Sequence, residues 1–395
     1  MKKLLLQGNE KAIVEAQNGY SLKLVQEIAK NDHNNIFVSP LSASFVCSMI
    51  ANGANGETQQ QILDALGVGD FSMSELNAYY LKMMECLPYQ DETSKMNIAN
   101  AMWVSEGYPI IEDFANTVRD HYLATVDNLD LSDPASADVI NAWAAKQTDG
   151  MIKKICDGNY FSEDLELVVA NALCFKGKWH EQFKKVNTRD DVFHAPGGDI
   201  ETPMMHGKLE VSTSGNNRYV YNEETGEYVE GEPLHARMMR MDYKDHGYSM
   251  YVIMPDEDQV FDEWLASFDL ETFQLLKEYS MSGESEVAFP KFKLENRYRL
   301  NEYMQALGMK DVFTNAADLS GISTANELRL ALLQQDTYIE VDEEGTKAAA
   351  VTSGWFTDTA VMPGEPFICD RPFLFLISTN WMTDVIIFAG VVKRP

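Results

Sequence analysis

The spacing of apolar residues along the chain predicts helices first, then a mixture of strands and helices, and then strands. Apolar positions recur with a helical period over residues 20–29 and after Pro40, and a capping box formed by Ser72 and Glu75 opens a further helix. A nearly continuous apolar run at 165–175 is typical of a strand buried on both faces. This order of elements indicates an α+β fold with large sheets.

Smaller elements follow from the same pattern. A helix is predicted at 134–148, with Val139, Ile140 and Trp143 facing inward. An acidic stretch at 222–233 that contains two glycines predicts a surface hairpin. The other predicted elements are helices at 261–279 and 298–307 and strands at 96–104, 287–294, 336–341, 373–377 and 385–392. Because Pro290 interrupts the strand at 287–294, we expect that strand to lie at a sheet edge or to contain a bulge.

Length and composition favour one large domain. The chain has 395 residues, of which 45% are hydrophobic and 24% charged, which is enough to bury a large core. Because it has no Pro/Gly/Ser-rich linker, low-complexity tract or internal repeat, we expect a single domain over 1–395. Its 32 basic and 61 acidic residues give a formal net charge of −29. Such a field repels nucleic acid and attracts cationic partners, so we expect no nucleic-acid partner.

The N-terminal residues leave the compartment open. Residues 1–6 resemble the start of a signal peptide, but the apolar part ends at Gln7 and is too short for a signal-peptide core. We expect an extracellular, cell-surface or periplasmic location after removal of a longer leader, with the cytoplasm as the alternative. No apolar run is long enough to predict a membrane span.

The sequence carries no motif of a known enzyme class. It lacks GxSxG, HExxH, a P-loop and a GxGxxG that opens a helix. Its five cysteines show no zinc spacing, and no histidine stands at ligand spacing from another histidine or a cysteine. Cys174 and His180 could form a dyad, but Cys174 lies in an apolar run, which predicts a buried and unreactive thiol. We therefore expect no enzyme, no metal and no other cofactor.

One segment combines acids and small residues in an unusual way. Residues 342–353 read Asp-Glu-Glu-Gly-Thr-Lys-Ala-Ala-Ala-Val-Thr-Ser and follow the strand predicted at 336–341. The loop after them, 354–366, contains apolar side chains but no Lys or Arg. Taken alone, the segment is either a plain linker or a strand held out of its sheet, with side chains small enough for later insertion.

Several separated motifs, taken together and in order, resemble the serpins, the serine protease inhibitor superfamily, and most nearly its bacterial members. The motifs are Asn35-Ile36-Phe37-Val38-Ser39-Pro40-Leu41-Ser42, residues 53–58, Asn171-Ala172-Leu173-Cys174-Phe175-Lys176-Gly177-Lys178-Trp179, Phe289-Pro290-Lys291-Phe292, residues 342–352 and Asp370-Arg371-Pro372-Phe373-Leu374-Phe375. The resemblance runs from about residue 20 to the end of the chain. It implies a serpin fold, about nine helices packed around three β-sheets, with an exposed reactive-centre loop at about 342–366.

In a serpin, the segment of small residues is the hinge of this loop. The resemblance implies that a protease cleaves the loop, forms an acyl-enzyme and is carried along when the hinge side inserts as a central strand of the main sheet. The hinge residues would be Glu343, Glu344, Gly345, Thr346, Lys347, Ala348, Ala349, Ala350, Val351 and Thr352. Because strand side chains alternate, Thr346, Ala348, Ala350 and Thr352 would share the inward face, where their small size permits insertion. Lys347 would point outward.

The position of the scissile bond follows by counting from the hinge glycine. Inhibitory serpins place the specificity residue fourteen positions later, here Thr359, with the bond at Thr359–Ala360; counting back from Pro372 allows Ala360 or Val361 instead. Each candidate is small and uncharged, which favours an elastase-like pocket over proteases that need Arg or Lys, with subtilisin-like and papain-like enzymes as alternatives. The loop residues that would flank the bond are Trp355, Phe356, Thr357, Asp358, Val361 and Met362, and a register shifted to Asp358 would suit Asp-directed proteases.

A polar cluster beneath the opening sheet is also implied by the resemblance. It would contain Ser39, Ser42, Asn171 and Gln335, while Trp179 would lie near the hinge. The family usually has histidine at the position of Gln335. Because Gln also donates and accepts hydrogen bonds, we expect the cluster to form here without pH dependence.

The expected partner is a target serine protease, and a net charge of −29 would favour a cationic elastase. The alternative function is a non-inhibitory serpin that acts as a binding or storage protein. Lys82 is flanked by Glu75 and Glu85 on its helix, so we expect no glycosaminoglycan site there. We also expect a monomer.

Overall fold

The computed structural model describes most of the chain. The described residues are 6–90, 92–162, 165–216, 219–222, 226–244, 247–325, 328–346, 366–380 and 384–395.

Nine α-helices lie within these residues. They are α1 (Glu10–Ala29), α2 (Pro40–Ala51), α3 (Gly56–Ala65), α4 (Met73–Cys86), α5 (Glu112–Tyr122), α6 (Ser136–Gln147), α7 (Phe261–Ser267), α8 (Leu270–Glu278) and α9 (Asn301–Ala306). The starts of α2 and α4 follow directly from the sequence. Pro40 is the first residue of α2 and Ser39 caps it, and Ser72 and Glu75 form the predicted capping box of α4.

Eighteen strands complete the described part of the chain. They are β1 (Ile36–Val38), β2 (Tyr89–Gln90), β3 (Ser94–Ser105), β4 (Thr125–Leu129), β5 (Leu167–Lys178), β6 (Arg189–Ala195), β7 (Gly198–Ser214), β8 (Tyr219–Asn222), β9 (Glu227–Glu230), β10 (Ala236–Asp242), β11 (Tyr248–Pro255), β12 (Met281–Pro290), β13 (Phe292–Arg299), β14 (Gln334–Asp342), β15 (Gly345–Thr346), β16 (Phe367–Ile368), β17 (Phe373–Thr379) and β18 (Ile386–Val392). The pair β8–β9 is the hairpin predicted for the acidic stretch.

These strands form two large sheets and the small hairpin. A nine-stranded sheet has the order β1-β18-β17-β11-β10-β7-β12-β16, with β6 paired to β7. A seven-stranded sheet has the order β13-β14-β15-β5-β3-β2, with β4 paired to β3. Every residue of β17 and β18 is buried, and every residue of α2 is buried as well, because α2 packs between β18 of one sheet and β5 of the other. The core therefore lies between the two large sheets.

The structure corrects the predicted orientation of α6. Ile140 and Ala144 are both buried, and Ile140 packs in a second apolar cluster that includes Trp103, but Val139 is 52% exposed. Because Ile140 and Ala144 are four residues apart, they share one face of the helix, whereas Val139 projects about 100° away from it. Val139 therefore does not face inward as predicted.

The predicted strand at 287–294 is two strands in different sheets. Pro290 ends β12 in the nine-stranded sheet, and Phe292 begins β13 in the seven-stranded sheet. Lys291 lies between them, and its backbone N–H donates to Pro203. The proline thus marks the point at which the chain changes sheet rather than a bulge in one strand.

Two predicted helices also differ in extent from the structure. The helix predicted at 298–307 is shorter, since Tyr298 and Arg299 belong to β13 and α9 begins at Asn301. The helix predicted at 261–279 is two helices, α7 and α8, which are separated at Asp269, the N-cap of α8.

Candidate functional site

The candidate site is the tight turn that connects β14 to β15. The chain reverses at Glu343 and Glu344, so that Asp342 pairs with Gly345 and Val341 pairs with Thr346. The side-chain oxygen Oδ1 of Asp342 accepts hydrogen bonds from the backbone N–H groups of Glu344 (2.8 Å) and Gly345 (3.3 Å). An Asp in this position fixes the turn by the same hydrogen bonds that stabilise Asx-turns elsewhere.

Gly345 is required at this turn for two separate reasons. Its φ of +147° lies in a region that side chains other than glycine rarely adopt. A Cβ added there would also lie 2.0 Å from the carbonyl oxygen of Gly177 on β5. The hinge glycine therefore permits the close approach of β15 to β5, in addition to any flexibility that it gives.

Thr346 lies between two strands of the seven-stranded sheet. It pairs with Val341 on β14 and with Gly177 on β5, and it is only 2% exposed. Its hydroxyl oxygen is 2.7 Å from the hydroxyl of the buried Tyr243. Thr346 thus points into the core, and the first two residues after the turn already form a central strand of the sheet.

Tyr243 explains why residue 177 is also glycine. The Tyr243 ring stacks on Trp179, with ring centroids 4.7 Å apart, and packs edge-on against Phe175. A Cβ on Gly177 would lie 2.5 Å from that ring. Tyr243 therefore occupies the space beside Gly177 and presents its hydroxyl to Thr346.

Glu343 is held in the turn by charged and polar contacts. Its carboxylate accepts hydrogen bonds from Lys291 Nζ at 2.9 Å and from Thr188 Oγ1 at 2.7 Å. Its side chain is 5% exposed, whereas that of Lys291 is 37% exposed. Burial opposes the charged form of Glu343, but the hydrogen bonds from Lys291 and Thr188 outweigh it, so the pKa of Glu343 lies below its usual value.

Glu344 and Asp342 are held mainly by Trp179 and its neighbours. The backbone N–H of Trp179 donates to the Glu344 carbonyl (2.9 Å), and the indole Nε1 donates to the Asp342 carbonyl (3.0 Å). Gln182 Nε2 also donates to the Glu344 carbonyl (3.0 Å). Lys185 Nζ lies 2.6 Å from the Glu344 carboxylate, on the surface. Burial raises the pKa of Asp342, although the hydrogen bonds that its carboxylate accepts from two backbone N–H groups act to lower it.

Beyond Thr346, the two flanking strands form a narrow slot. In the described residues, an isolated parallel bridge joins Val168, near the start of β5, to Leu332, two residues before β14, and the paired strand β15 joins the other ends of β5 and β14. The cavity between the two strands encloses about 40 Å³, and Met151 and Ile152 lie among the residues that line it. A cavity of this size holds no more than a few water molecules, so β5 and β14 must separate before another strand can enter.

A hydrogen-bonded cluster lies about 20 Å along the slot from Thr346, six residues away on each flanking strand. The side-chain amide of Gln335 accepts from the Ser39 N–H (2.8 Å) and donates to the Ser39 carbonyl (2.9 Å). Ser42 Oγ donates to Asn171 Oδ1 (2.6 Å), and Ser42 N–H donates to Ser39 Oγ (3.2 Å). The structure therefore brings together the four residues predicted for this cluster and places Trp179 separately, at the turn.

The other predicted loop residues lie outside the described part of the chain. They are Lys347, Ala348, Ala349, Ala350, Val351, Thr352, Trp355, Phe356, Thr357, Asp358, Thr359, Ala360, Val361 and Met362. Their assignment to the hinge, the scissile bond and the specificity positions stays a prediction.

The residues that hold the turn from outside are not evident from the sequence. Lys291 belongs to a motif that indicates no contact with the turn, and Thr188, Lys185, Gln182 and Tyr243 belong to none of the motifs. Their roles depend on contacts across about 50 to 160 positions of sequence, such as the 155 that separate Thr188 from Glu343. The one available signal was Lys291, a cation at the point where the chain changes sheet.

The remaining candidates for chemistry are the cysteine thiols and the side chains that could bind a metal. The five cysteines are free and buried, and burial raises the pKa of Cys174 to about 11, which opposes the reactive thiolate of a dyad with His180. In the described residues, no group of three His, Cys, Asp or Glu side chains is arranged to hold a metal. No helix in that part of the chain has the length and apolar character of a membrane span.

Comparison with known proteins assigns the family. A family model described as Serpin (serine protease inhibitor) matches residues 15–395. The chain is a serpin. The family and the α+β fold that its motifs predicted are confirmed. The three sheets of the described residues contain nine, seven and two strands.

The relatives of this serpin come from distant organisms. It is 31% identical to an uncharacterised serpin-like protein of Thermococcus kodakarensis, with 99% of this chain and 88% of the relative covered. It is 30% identical to the leukocyte elastase inhibitor of Xenopus tropicalis, with 95% and 97% covered. Among solved structures, that of tengpin, a thermophilic serpin in the native state, matches with a TM-score of 0.84 and 29% identity over 99% of this chain and 96% of that chain.

Proposed function

We propose that this serpin is a suicide-substrate inhibitor of serine proteases with elastase-like specificity. Cleavage at Thr359–Ala360 would form the acyl-enzyme, and insertion of the loop into the slot between β14 and β5 would trap it. The observation that carries this proposal is the position of Thr346. It is buried and paired with both flanking strands, so the sheet already accepts the first of the inward-facing hinge residues in a central strand.

The register of β15 supports continued insertion. Thr346 pairs antiparallel with Gly177, so continuation of this register would place residues 347–356 opposite residues 176–167 of β5. Ten residues in the ladder, at a net ~1 kcal/mol per hydrogen bond, would yield on the order of 10 kcal/mol. Ala348, Ala350 and Thr352 would follow Thr346 on its inward face, and all three are small. Free energy on this scale is sufficient to make trapping irreversible.

The polar cluster supports the same mechanism. Gln335 lies on β14 and Asn171 lies on β5, so the cluster connects both walls of the slot to α2 and the segment before it. The hydrogen bonds from Ser39 and Ser42 hold these walls together while the loop is out. Insertion requires the walls to move apart, so this cluster would rearrange during trapping.

The specificity follows from the loop sequence. Thr359, and Ala360 or Val361 in the alternative registers, are small and uncharged, as an elastase-like pocket requires. The leukocyte elastase inhibitor among the relatives is consistent with this class of target. The net charge of −29 would accelerate encounter with a cationic protease, and the effect would weaken with salt. We propose that this serpin acts outside the cytoplasm, in an extracellular, cell-surface or periplasmic location, with the cytoplasm as the alternative.

Incubation with a panel of elastase-like, subtilisin-like, papain-like and trypsin-like proteases tests this proposal. Mass spectrometry of the released C-terminal peptide would identify the scissile bond, which we expect at Thr359–Ala360. The matched variant Thr359→Arg should transfer inhibition from elastase to trypsin-like enzymes. Cleavage without loss of protease activity for every protease would instead support the alternative, a non-inhibitory serpin that binds or stores a ligand.

A further inference from the structure

A cavity lies apart from the loop site, where β6, the end of β11 and the segment before β17 meet. It encloses about 490 Å³, which is within the size range of ligand-binding pockets. None of the described residues that line it belongs to the turn, the slot or the polar cluster. The apolar part of its lining is Ala195, Pro196, Pro255, Phe261 and Pro372. Such a lining suits a ligand with an apolar portion.

Backbone hydrogen bonds hold the walls of this cavity in place. The N–H of His194 on β6 donates to the Asp370 carbonyl at 2.7 Å, which joins β6 to the segment before β17. After β11, the N–H of Asp256 donates to the His235 carbonyl (3.2 Å), and the N–H of Gln259 donates to the Asp256 carbonyl (3.1 Å). The walls are therefore fixed before any ligand binds, and binding would require little ordering of the chain.

The basic side chains of the cavity are already matched by acids. The guanidinium of Arg371 lies 2.9 Å from the carboxylates of both Asp370 and Glu257, so two acids surround it. Nδ1 of His194, the other basic side chain in the lining, lies 2.9 Å from the carboxylate of Asp199. A further carboxylate in the lining is thus left without a cation of its own.

Asp256 is that carboxylate. Its side chain is 19% exposed, and its one ion-pair contact in the part of the chain that the structure describes is with His235 Nδ1, 4.0 Å away, which is too long for a hydrogen bond. Burial is the main cause that raises the pKa of Asp256, and Asp258 adds to it. The basic side chains of His235, Arg237 and Arg371 act in the opposite direction without cancelling the effect. The ionised carboxylate is therefore poorly solvated and has no strong donor.

Phe261 adds an aromatic surface beside this carboxylate. Nζ of Lys393 lies 6.0 Å from the centre of the Phe261 ring and 2.7 Å from the carboxylate of Asp262. An ammonium group is thus accommodated near this ring where a carboxylate accompanies it. The face of an aromatic ring attracts cations, and alkylguanidinium groups also stack on it.

We propose that this cavity is a binding site for an alkyl cation, with its guanidinium or ammonium group at Asp256 and Phe261 and its alkyl chain against Pro255 and Pro372. The cation would supply the donor that the Asp256 carboxylate lacks, and a charge-assisted hydrogen bond is among the stronger polar contacts. The net charge of −29 would raise the local concentration of such cations. The proposal does not rest on the inhibitor function, because the cavity is separate from the loop and the slot.

An NMR titration of the uncleaved protein with butylguanidinium tests the site without any protease. Butylurea is the control ligand, since it has nearly the same shape and no charge. We expect butylguanidinium to bind wild type with a dissociation constant of about 1 mM or lower, and butylurea to bind at least about tenfold more weakly. Added salt should weaken the binding of butylguanidinium and leave that of butylurea unchanged.

Two variants locate the bound cation. Asp256→Asn removes the charge and keeps the shape, so it should weaken butylguanidinium binding about tenfold. Asp258→Asn makes the same change of charge at an exposed residue outside the lining, and it should bind as wild type does. Phe261→Leu should weaken binding about threefold, because it removes the ring and keeps an apolar side chain. If Asp256→Asn failed to fold, Phe261→Leu and the comparison with butylurea would still decide the question.

Two further ligands distinguish the sources of the cation. Spermidine represents a free polyamine, and Nα-acetylarginine methylamide represents an arginine side chain of a bound protein. Tighter binding of either one than of butylguanidinium supports the site and identifies its class of ligand. Equal binding of butylguanidinium to wild type and Asp256→Asn, equal binding of butylurea, or no binding at about 10 mM butylguanidinium would overturn the proposal.

Discussion

The contact between Glu343 and Lys291 gives the sharpest quantitative prediction. Lys291→Met keeps the aliphatic stem and removes the ammonium group, which leaves the carboxylate of Glu343 with its hydrogen bond from Thr188. The Glu343 side chain is 5% exposed, so water can do little to stabilise the carboxylate once its cationic partner is removed. Glu343→Gln removes the charge and keeps the shape and the acceptor for Thr188. These two changes and their combination form a double-mutant cycle.

The magnitude follows from the exposure of the two partners. Breaking a fully buried pair costs about 3–5 kcal/mol, whereas exposed pairs couple by about 0.2–1 kcal/mol. Lys291 is 37% exposed, so the pair lies between these limits and we expect a coupling of about 1–2 kcal/mol. The neighbouring pair Lys185–Glu344 provides the control. Lys185 is 67% exposed, so its coupling should be no more than about 0.5 kcal/mol.

Urea unfolding of the native, uncleaved protein measures both cycles, with the slope m compared among variants to verify that the transition is the same. A Glu343–Lys291 coupling within about 0.3 kcal/mol of zero, the usual scatter of additive sites, would refute the electrostatic argument. A Lys185–Glu344 coupling as large as that of Glu343–Lys291 would also refute the electrostatic argument, because burial would then not determine the coupling energy of an ion pair.

Three further predictions concern the slot and its pH dependence. The pKa of Glu343 is lowered, so its contribution is present above its unfolded pKa of about 4.3 and is lost as pH falls through the lower folded value. The destabilisation caused by Lys291→Met, measured by urea unfolding, should thus be full at pH 7 and shrink below pH ~4. Thr346→Arg would place a guanidinium at a site 2% exposed beside Tyr243, so under the proposed mechanism it should be cleaved without trapping the protease, whereas Thr346→Val should still trap it. The ratio of cleaved to trapped serpin on a denaturing gel measures this, and an unchanged ratio for Thr346→Arg would contradict it. The rate of loop insertion should be constant between pH 5.5 and 8 in wild type and should become pH-dependent in Gln335→His. A pH-dependent rate in both proteins would show that Gln335 does not make insertion independent of pH.

The sequence predicted best those elements whose signals are local. Pro40 and its capping serine mark the start of α2, and Ser72 and Glu75 mark the start of α4, because caps act within one turn. The strands β17 and β18 were evident because both faces are buried. Val139 was assigned to the wrong face, since an apolar residue at the edge of a helical stripe fits either environment. The division at Pro290 was missed because β12 and β13 are each apolar enough to read as one strand.

The candidate site was predictable only in part, for the same physical reason. The hinge glycine and Thr346 stand in one short segment, and the resemblance to a family singled them out. That Gly345 is needed for its approach to Gly177, and that Lys291 and Thr188 hold Glu343 in the turn, depends on how separate strands meet. Such contacts produce no periodic pattern of residues in a single sequence.

We propose that a protease is trapped by insertion of the cleaved loop beside β5. The most direct test is incubation of wild-type protein with a cationic elastase, followed by a denaturing gel and mass spectrometry of the adduct. We expect a complex that resists SDS, contains the protease joined to residues 1–359 and forms at close to one serpin per protease. Complete cleavage of the serpin with the protease still active, and no covalent adduct, would contradict it.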